Sequence, residues 1–239
     1  MSIELGSTGA DRRLKRPEPL RESVYEALTE MIIGGSLQPG QHLVEVQLAD
    51  MLGVSRQPIR EALQRLRNEG WVDMRPGFGA TVHIPDEDEV DQLLRARAAL
   101  ESESARLAAG RTTGEAIKTL RSVCQEGSSL LKSGDIDGAV RANADFHRLV
   151  SEMSGNRYLN DFTAQVDRRV RWYYTPVAQR RGQASWREHV QVIKAIQAGD
   201  GDLAAKVMRE HTEHTRRSYH ESLHAQSSSD WPFGSGPSR

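Results

Sequence analysis

The run Gly53-Val54-Ser55-Arg56-Gln57-Pro58-Ile59-Arg60-Glu61-Ala62-Leu63-Gln64-Arg65-Leu66-Arg67-Asn68 constrains this chain more than any other stretch. It reads as a turn followed by the second helix of a helix-turn-helix. Gly53 supplies the turn, because glycine enters positive φ without a Cβ penalty. Ser55 is placed to cap the helix through its hydroxyl, and Pro58 falls in the first turn, where a missing N–H is tolerated. Ile59, Ala62, Leu63 and Leu66 repeat at helical spacing and form the buried stripe. Arg56 and Arg60 lie one turn apart, off that stripe and near the N-terminal end. That end of a recognition helix reaches base edges in the major groove, where the planar arginine fork matches O6 and N7 of guanine. An amphipathic helix whose arginines only face water has the same spacing, so the flanking sequence must decide.

The chain of 239 residues is long enough for two domains. Its 32 Lys and Arg nearly cancel its 33 Asp and Glu, so no global field draws it to nucleic acid. Affinity for DNA has to come from a local patch, and Arg56, Arg60, Arg65, Arg67 and Arg75 offer one. The single cysteine, Cys124, excludes an internal disulfide, fits a reducing cytoplasm and sits in an apolar helical pattern that suits a buried thiol. There is no apolar run of membrane-spanning length and no apolar core of a signal peptide. Abundant Ala, Leu, Arg and Glu with few aromatics point to a mainly α protein.

Residues 1–17, with Arg12, Arg13, Lys15 and Arg16, read as a disordered basic arm. A helix from Leu20 stops at Gly34-Gly35, and Leu37-Gln38-Pro39-Gly40 is a turn. A short helix carries Val44, Leu48, Ala49 and Leu52. After the recognition helix come two short strands, Trp71–Arg75 and Ala80–Ile84, joined by Pro76-Gly77-Phe78-Gly79 as a hairpin tip. Helix, helix-turn-helix and hairpin make a winged helix over residues 18–84. This segment resembles the DNA-binding domain of the GntR family of bacterial transcription regulators. The resemblance is carried by Leu48-Ala49-Asp50-Met51-Leu52-Gly53-Val54-Ser55-Arg56, Pro58, Arg60-Glu61-Ala62-Leu63 and Gly70. It implies that Ser55, Arg56, Gln57 and Arg60 contact DNA and that Gly77 and its neighbours in the wing enter the minor groove. Gln57 stands where the family usually has Thr, and Val46 where some members carry a DNA-contacting Arg.

Residues 85–88 form the linker, an acidic run that also suits the first turn of a helix. Six helical segments follow within 89–224. They run from Leu93 to Gly110, Ile117 to Gly134, Ile136 to Met153, Tyr158 to about Gln179, Trp186 to Ala198 and Leu203 to about Leu223. Short glycine-containing breaks between them imply an antiparallel bundle. Residues 225–239 read as a disordered tail. Asn143 and His147 are i and i+4 on one helix and so share a face, while His189 and His211 lie on two others. Imidazoles converging from several helices are a usual way for a bundle to hold a divalent metal. Spacing alone favours three ordinary helical histidines with local hydrogen bonds.

Residues 89–224 resemble the FCD effector domain, the FadR branch of the same family. The matching stretches are Arg97-Ala98-Ala99-Leu100-Glu101, Asn143-Ala144-Asp145-Phe146-His147, Ser154-Gly155-Asn156, His189 with Ala195-Ile196, Gly199-Asp200 and Met208-Arg209-Glu210-His211. The resemblance implies a divalent metal, zinc with nickel or manganese as alternatives, on Asn143, His147, His189 and His211. His214 is the rival for the last place. An amide in place of a carboxylate leaves the site with a net charge of about +2. That charge suits an anionic ligand, a small organic acid or sugar acid, with Arg97 as a second partner for its carboxylate. Arg97 paired with Glu101, one turn on, is the equal alternative.

These expectations describe a cytoplasmic, ligand-responsive transcription regulator, a repressor by family analogy. It acts as a homodimer on a palindromic double-stranded operator read by Arg56 and Arg60, and it has no membrane partner and no enzymatic activity. Two other readings stand beside it: a constitutive DNA-binding dimer with a structural bundle, and a metal-dependent hydrolase with Glu188 or Glu210 as base.

Overall fold

The computed structural model describes residues 20–226, without the side chains of 174–176 and 223–226. The arm expected over 1–17 lies outside the described residues, as does the tail beyond 226. By internal contacts the chain divides into two compact units. The first takes the chain up to Ile32 and Pro39–His83, the second Ile33–Gln38 and the chain from Ile84 on.

The first unit is a winged helix. It contains α1 (Leu20–Ile33), β1 (His42–Leu43), α2 (Glu45–Leu52), α3 (Arg56–Asn68), β2 (Val72–Arg75) and β3 (Gly79–Val82). Ile59, Ala62, Leu63 and Leu66 are the buried residues of α3, and they share a core with Val24, Leu28, Ile32, Leu48 and Trp71. Each such aliphatic side chain contributes about 1.5–3 kcal/mol on burial, so the stripe also fixes which face of α3 is left outside. Gly53 closes α2 in the left-handed region at φ 65°, its turn sealed by Val54 N–H to Ala49 C=O at 3.0 Å. Ser55 occupies the N-cap position of α3 but makes no side-chain capping bond, so the hydroxyl expected to cap the helix is left exposed. The sheet has the order β1-β3-β2, all antiparallel, with Arg75 opposite Gly79 across the hairpin. β1 was not anticipated; its two residues are too short to show a period.

The second unit is all helical among the described residues: α4 (Glu87–Ala109), α5 (Gly114–Ser133), α6 (Ile136–Met153), α7 (Arg157–Gln197) and α8 (Gly201–Gln226). The acidic run is the start of α4 rather than a linker, because Asp86 caps it by accepting from Glu89 N–H. The fourth and fifth expected segments are the two halves of α7, separated at Gly182, whose φ of 51° and ψ of −144° are not helical. Short turns fold these helices into a bundle. Asp135 accepts from Gly138 N–H to start α6, and Asn156 accepts from Tyr158 and Leu159 N–H to start α7. The core is built from Ala105, Ala108, Leu120, Phe146, Val150, Trp186, Ile193, Ile196 and Met208. Small residues on α4 let it lie close along its neighbours. Among the described residues no helix is long and apolar enough to cross a membrane.

Candidate metal centre and nucleic-acid interface

Three buried imidazoles meet inside the bundle, His147 from α6, His189 from α7 and His211 from α8. Nε2 of His211 lies 3.2 Å from Nε2 of His189 and 3.3 Å from Nε2 of His147. The opposite ring nitrogens are held by carboxylates. His211 Nδ1 is 2.9 Å from Glu188 Oε2, and His147 Nδ1 is 2.9 Å from Glu101 Oε2. The second is a close electrostatic contact rather than a well-formed hydrogen bond. His189 is set by rings instead: Phe146 stacks on it with centroids 4.0 Å apart, and Trp186 meets it edge-on at 5.0 Å.

These contacts bear directly on a metal. A neutral imidazole carries one N–H, and a carboxylate at Nδ1 fixes it there. With both N–H groups on Nδ1, the Nε2 atoms of His147 and His211 would face each other with lone pairs at 3.3 Å; the other tautomer of either ring would make this contact a hydrogen bond. Two lone pairs at that distance repel unless a cation lies between them. Nitrogens of a tetrahedral zinc site are about 3.3 Å apart, given bonds of about 2.0–2.1 Å, so the spacing fits the group the donors suit. Burial keeps all three rings neutral, the form that ligates. It lowers His147, lowers His189 well below the ordinary value and pulls His211 down to about 4, and the charge of Arg97 acts in the same direction on each. Asn143 is buried on α6 one turn before His147.

Arg97 is 2% exposed, and its Nε donates to Glu101 Oε1 at 2.7 Å. Burial pushes the Glu101 carboxyl up, but Arg97 and His147 outweigh it and hold it at about 2. Glu188 has a similar partner in Arg181, and burial there is again overcome, by His211 and Arg181, leaving its carboxyl at about 2. Each carboxylate next to the histidines is therefore matched by one guanidinium. Burial, with the Glu101 charge added, pushes the Asp167 carboxyl up to about 7.

His214 sends Nδ1 to Glu188 Oε1 at 2.8 Å and stays outside the cluster. Glu188 accepts on the Nδ1 side of His211, remote from the converging Nε2 atoms, which removes it as a base acting there, and Glu210 is exposed. The sequence reading missed the orienting roles of Glu101 and Glu188. Their one signal was position: Glu101 ends a stretch that carries the family resemblance, and Glu188 precedes His189.

On the winged helix, Ser55, Arg56, Gln57, Arg60 and Gly77 are all exposed. Arg60 makes a two-pronged contact to Glu45, Nε to Oε1 at 3.0 Å and Nη2 to Oε2 at 2.9 Å. Arg56 Nη2 joins the same carboxylate at 3.1 Å. Glu45, first residue of α2, thus orients both arginines of α3. Gln57 donates to Glu61 at 2.8 Å. Arg65 leaves the expected basic patch. It turns to α1 and the end of α3, bonding Glu22 at 2.8 Å and Glu69 at 3.0 Å with its guanidinium 3.6 Å from the Tyr25 ring centroid. A cleft of about 610 Å³ lies between α3 and the hairpin, lined by Arg56, Arg60 and Arg67 on one side and Arg75, Pro76 and Gly79 on the other.

Comparison with known proteins gives consistent matches over both units. Residues 20–82 match the family described as bacterial regulatory proteins, gntR family, and residues 92–214 match the FCD domain. The HTH-type transcriptional regulator YdhC of Bacillus subtilis (strain 168) is 29% identical over 85% of this chain and 92% of its own length. The HTH-type transcriptional repressor RspR of Escherichia coli (strain K12) is 25% identical over 92% of this chain and 97% of its own. In fold, the chain is similar to E. coli McbR/YncC, with a TM-score of 0.74 and 21% identity over 87% of this chain and 100% of that one.

Proposed function

The chain belongs to the GntR family of bacterial transcription regulators and carries an FCD domain, and from that premise we propose that it is a repressor controlled by a small organic acid or sugar acid bound at a metal in the helical unit. The family and its relatives are DNA-binding transcription regulators, not enzymes. The observation that carries the metal reading is the convergence of three buried imidazoles, two of which, His147 and His211, turn Nδ1 to a carboxylate. His147, His189 and His211 hold the ion, zinc or alternatively nickel or manganese, and Asn143 supplies the fourth ligand. Such an ion acts as a Lewis acid toward a carboxylate oxygen. Glu101 is matched by Arg97 and Glu188 by Arg181, so the ion's charge of about +2 stays available to an anion. Arg97 is the second anchor for the effector carboxylate, in a contact it would share with Glu101, which already holds its Nε.

On DNA, Arg56 and Arg60 read base edges of a palindromic operator, Ser55 and Gln57 contact the DNA beside them, and Gly77 and its neighbours bring the wing into the minor groove. A cytoplasmic homodimer supplies the two half-site readers. Tyr158 and Phe162, exposed one turn apart on α7, are the apolar surface that favours pairing of helical units. The effector controls DNA affinity only if it binds the two states of the protein unequally.

The test is metal content of the full-length protein beside His147→Ala. About one divalent ion per chain, absent from the variant, supports the reading and directs a titration with carboxylates. Absence of metal in both, after reloading with zinc, nickel and manganese, withdraws it and leaves a constitutive DNA-binding dimer.

A further inference from the structure

We infer that Phe78, at the tip of the β2–β3 hairpin, is an apolar wedge that enters the minor groove beside the operator half-site and opens a base step. The inference rests on the DNA-binding reading above and deepens it. Phe78 is 74% exposed, more than any other large hydrophobic residue of the described chain. A lone apolar side chain on a surface is ordinary, but the placement of this one is not. Gly77 and Gly79 flank it, both in the left-handed region at φ 80°, and a Cβ at either would meet nothing within 4 Å. Phe78 N–H bonds Arg75 C=O at 3.0 Å. Two left-handed residues in three turn the chain so sharply that the central side chain is left mostly exposed. Pro76 adds a fixed φ before the turn.

The neighbours of the tip say what it meets. The cleft beside it carries Arg56, Arg60, Arg67 and Arg75 against one carboxylate, Glu45. That charge suits a phosphate backbone. With α3 in a major groove about 12 Å wide, a hairpin on the far side of the cleft lies across the sugar–phosphate strand, and the next opening is the minor groove. Apolar side chains in that groove act by inserting between base pairs, which partly unstacks them and bends the duplex. The aromatic ring offers the face for such stacking. Specificity would then include the ease with which a step unstacks, greatest at pyrimidine–purine steps, where no hydrogen bond is needed.

The experiment uses the full-length protein and a duplex it selects from a random-sequence library. 2-Aminopurine is placed at successive positions across and beside each half-site, and end-to-end energy transfer reports bending. The expected result is a several-fold rise in emission at one step flanking each half-site, together with a bend. Phe78→Ala should lose both and bind about 5- to 150-fold more weakly, the range for losing one base–aromatic stack. Its salt dependence should match the native protein, because no phosphate contact is removed. Phe78→Leu, which keeps an apolar wedge, should keep most of the bend. Thermal melting of both variants should match the native protein, as the side chain is exposed. Native-like emission, bend and affinity in Phe78→Ala overturns the inference. So does light scattering showing that Phe78→Ala splits an oligomer, since the ring would then belong to a contact with a second copy. If the native protein selects and binds no duplex, the DNA-binding reading itself falls and the inference with it.

Discussion

His147 and His211 each turn Nδ1 to a carboxylate, Glu101 and Glu188, yet the two carboxylates do different work. Glu101 is fully enclosed and also neutralises Arg97. Removing its charge leaves a buried guanidinium without its counter-ion, which costs about 3–5 kcal/mol. Glu101→Gln should therefore show its effect first in urea unfolding, by roughly that amount, whether or not metal is present. Glu188 is more exposed than Glu101, so its neutralisation should cost the fold less, although its partner Arg181 is itself nearly enclosed. What Glu188→Gln removes is the charge that fixes the His211 proton and raises the basicity of Nε2. Outer partners of this kind are worth about 10–100-fold in metal affinity, and competition against a chromophoric chelator should find a drop in that range with little change in urea midpoint. An affinity within twofold of native would mean that packing alone aims His211.

At the scale of elements, two contacts hold the bundle in ways its periodicity does not announce. A Cβ on Gly127 of α5 would lie 2.0 Å from Cη2 of Trp186 on α7, so this glycine is the slot that lets the indole in. Gly127→Ala, a gain in helix propensity of about 1 kcal/mol in isolation, should instead lower stability by about 1–3 kcal/mol through overpacking, as read by thermal unfolding. The second contact pins α8 to the start of α4. Asp91 accepts from Arg95 at 2.7 Å, Arg216 at 2.6 Å and His220 at 2.7 Å. The Arg95 hydrogen bond leads, burial opposes it, Arg216 and His220 add to it, and the carboxyl is held well below its ordinary range. A depressed carboxyl stabilises fully above its unfolded pKa of about 3.9, and that stabilisation is lost as pH falls through the folded value. Asp91→Asn should thus cost about 1–3 kcal/mol at pH 7, and urea unfolding near pH 3 should show a smaller gap; a gap independent of pH would assign the cost to shape alone. The stripe Ile59, Ala62, Leu63 and Leu66 was legible because a helix repeats every 3.6 residues and burial follows the repeat. The break between Gln179 and Trp186 was legible as an interruption of the helical pattern, and the backbone leaves the helical region there, at Gly182. Gly127 reads as a weak point in a helix until Trp186 is placed beside it. Glu101 and Arg65 each have one partner a turn away on the chain, Arg97 and Glu69, which spacing shows. Their further partners, His147 and Glu22, and the His211 partner of Glu188 come from other helices and leave no local spacing to read.

For the whole molecule the question is whether the histidine centre and the arginines of α3 belong to one equilibrium. The chain has two compact units, and each has its own reason to be stable, so coupling is not required by folding. Linkage supplies a test that needs no effector in hand. If metal loading changes the operator dissociation constant by some factor, operator binding must change the metal dissociation constant by the same factor, because both describe one thermodynamic cycle. A regulator in which the centre reports to α3 should give a factor of about 5–150, the usual range of coupling between distant sites. The measurement is paired: titrate the selected duplex into metal-loaded and metal-stripped protein, then titrate zinc into free and duplex-bound protein at fixed salt. Salt must be held because phosphate contacts dominate the duplex affinity. Matching factors well above one place the two sites in one equilibrium and make the metal part of the switch. A factor of one in both directions makes the metal a structural cross-link of α6, α7 and α8. Its whole effect would then appear in unfolding, about 4 kcal/mol at a thousandfold excess over its dissociation constant, and an effector would have to signal through its own contacts with Arg97. Factors that differ between the two directions would show that one titration had not reached equilibrium, because no two-site mechanism permits them.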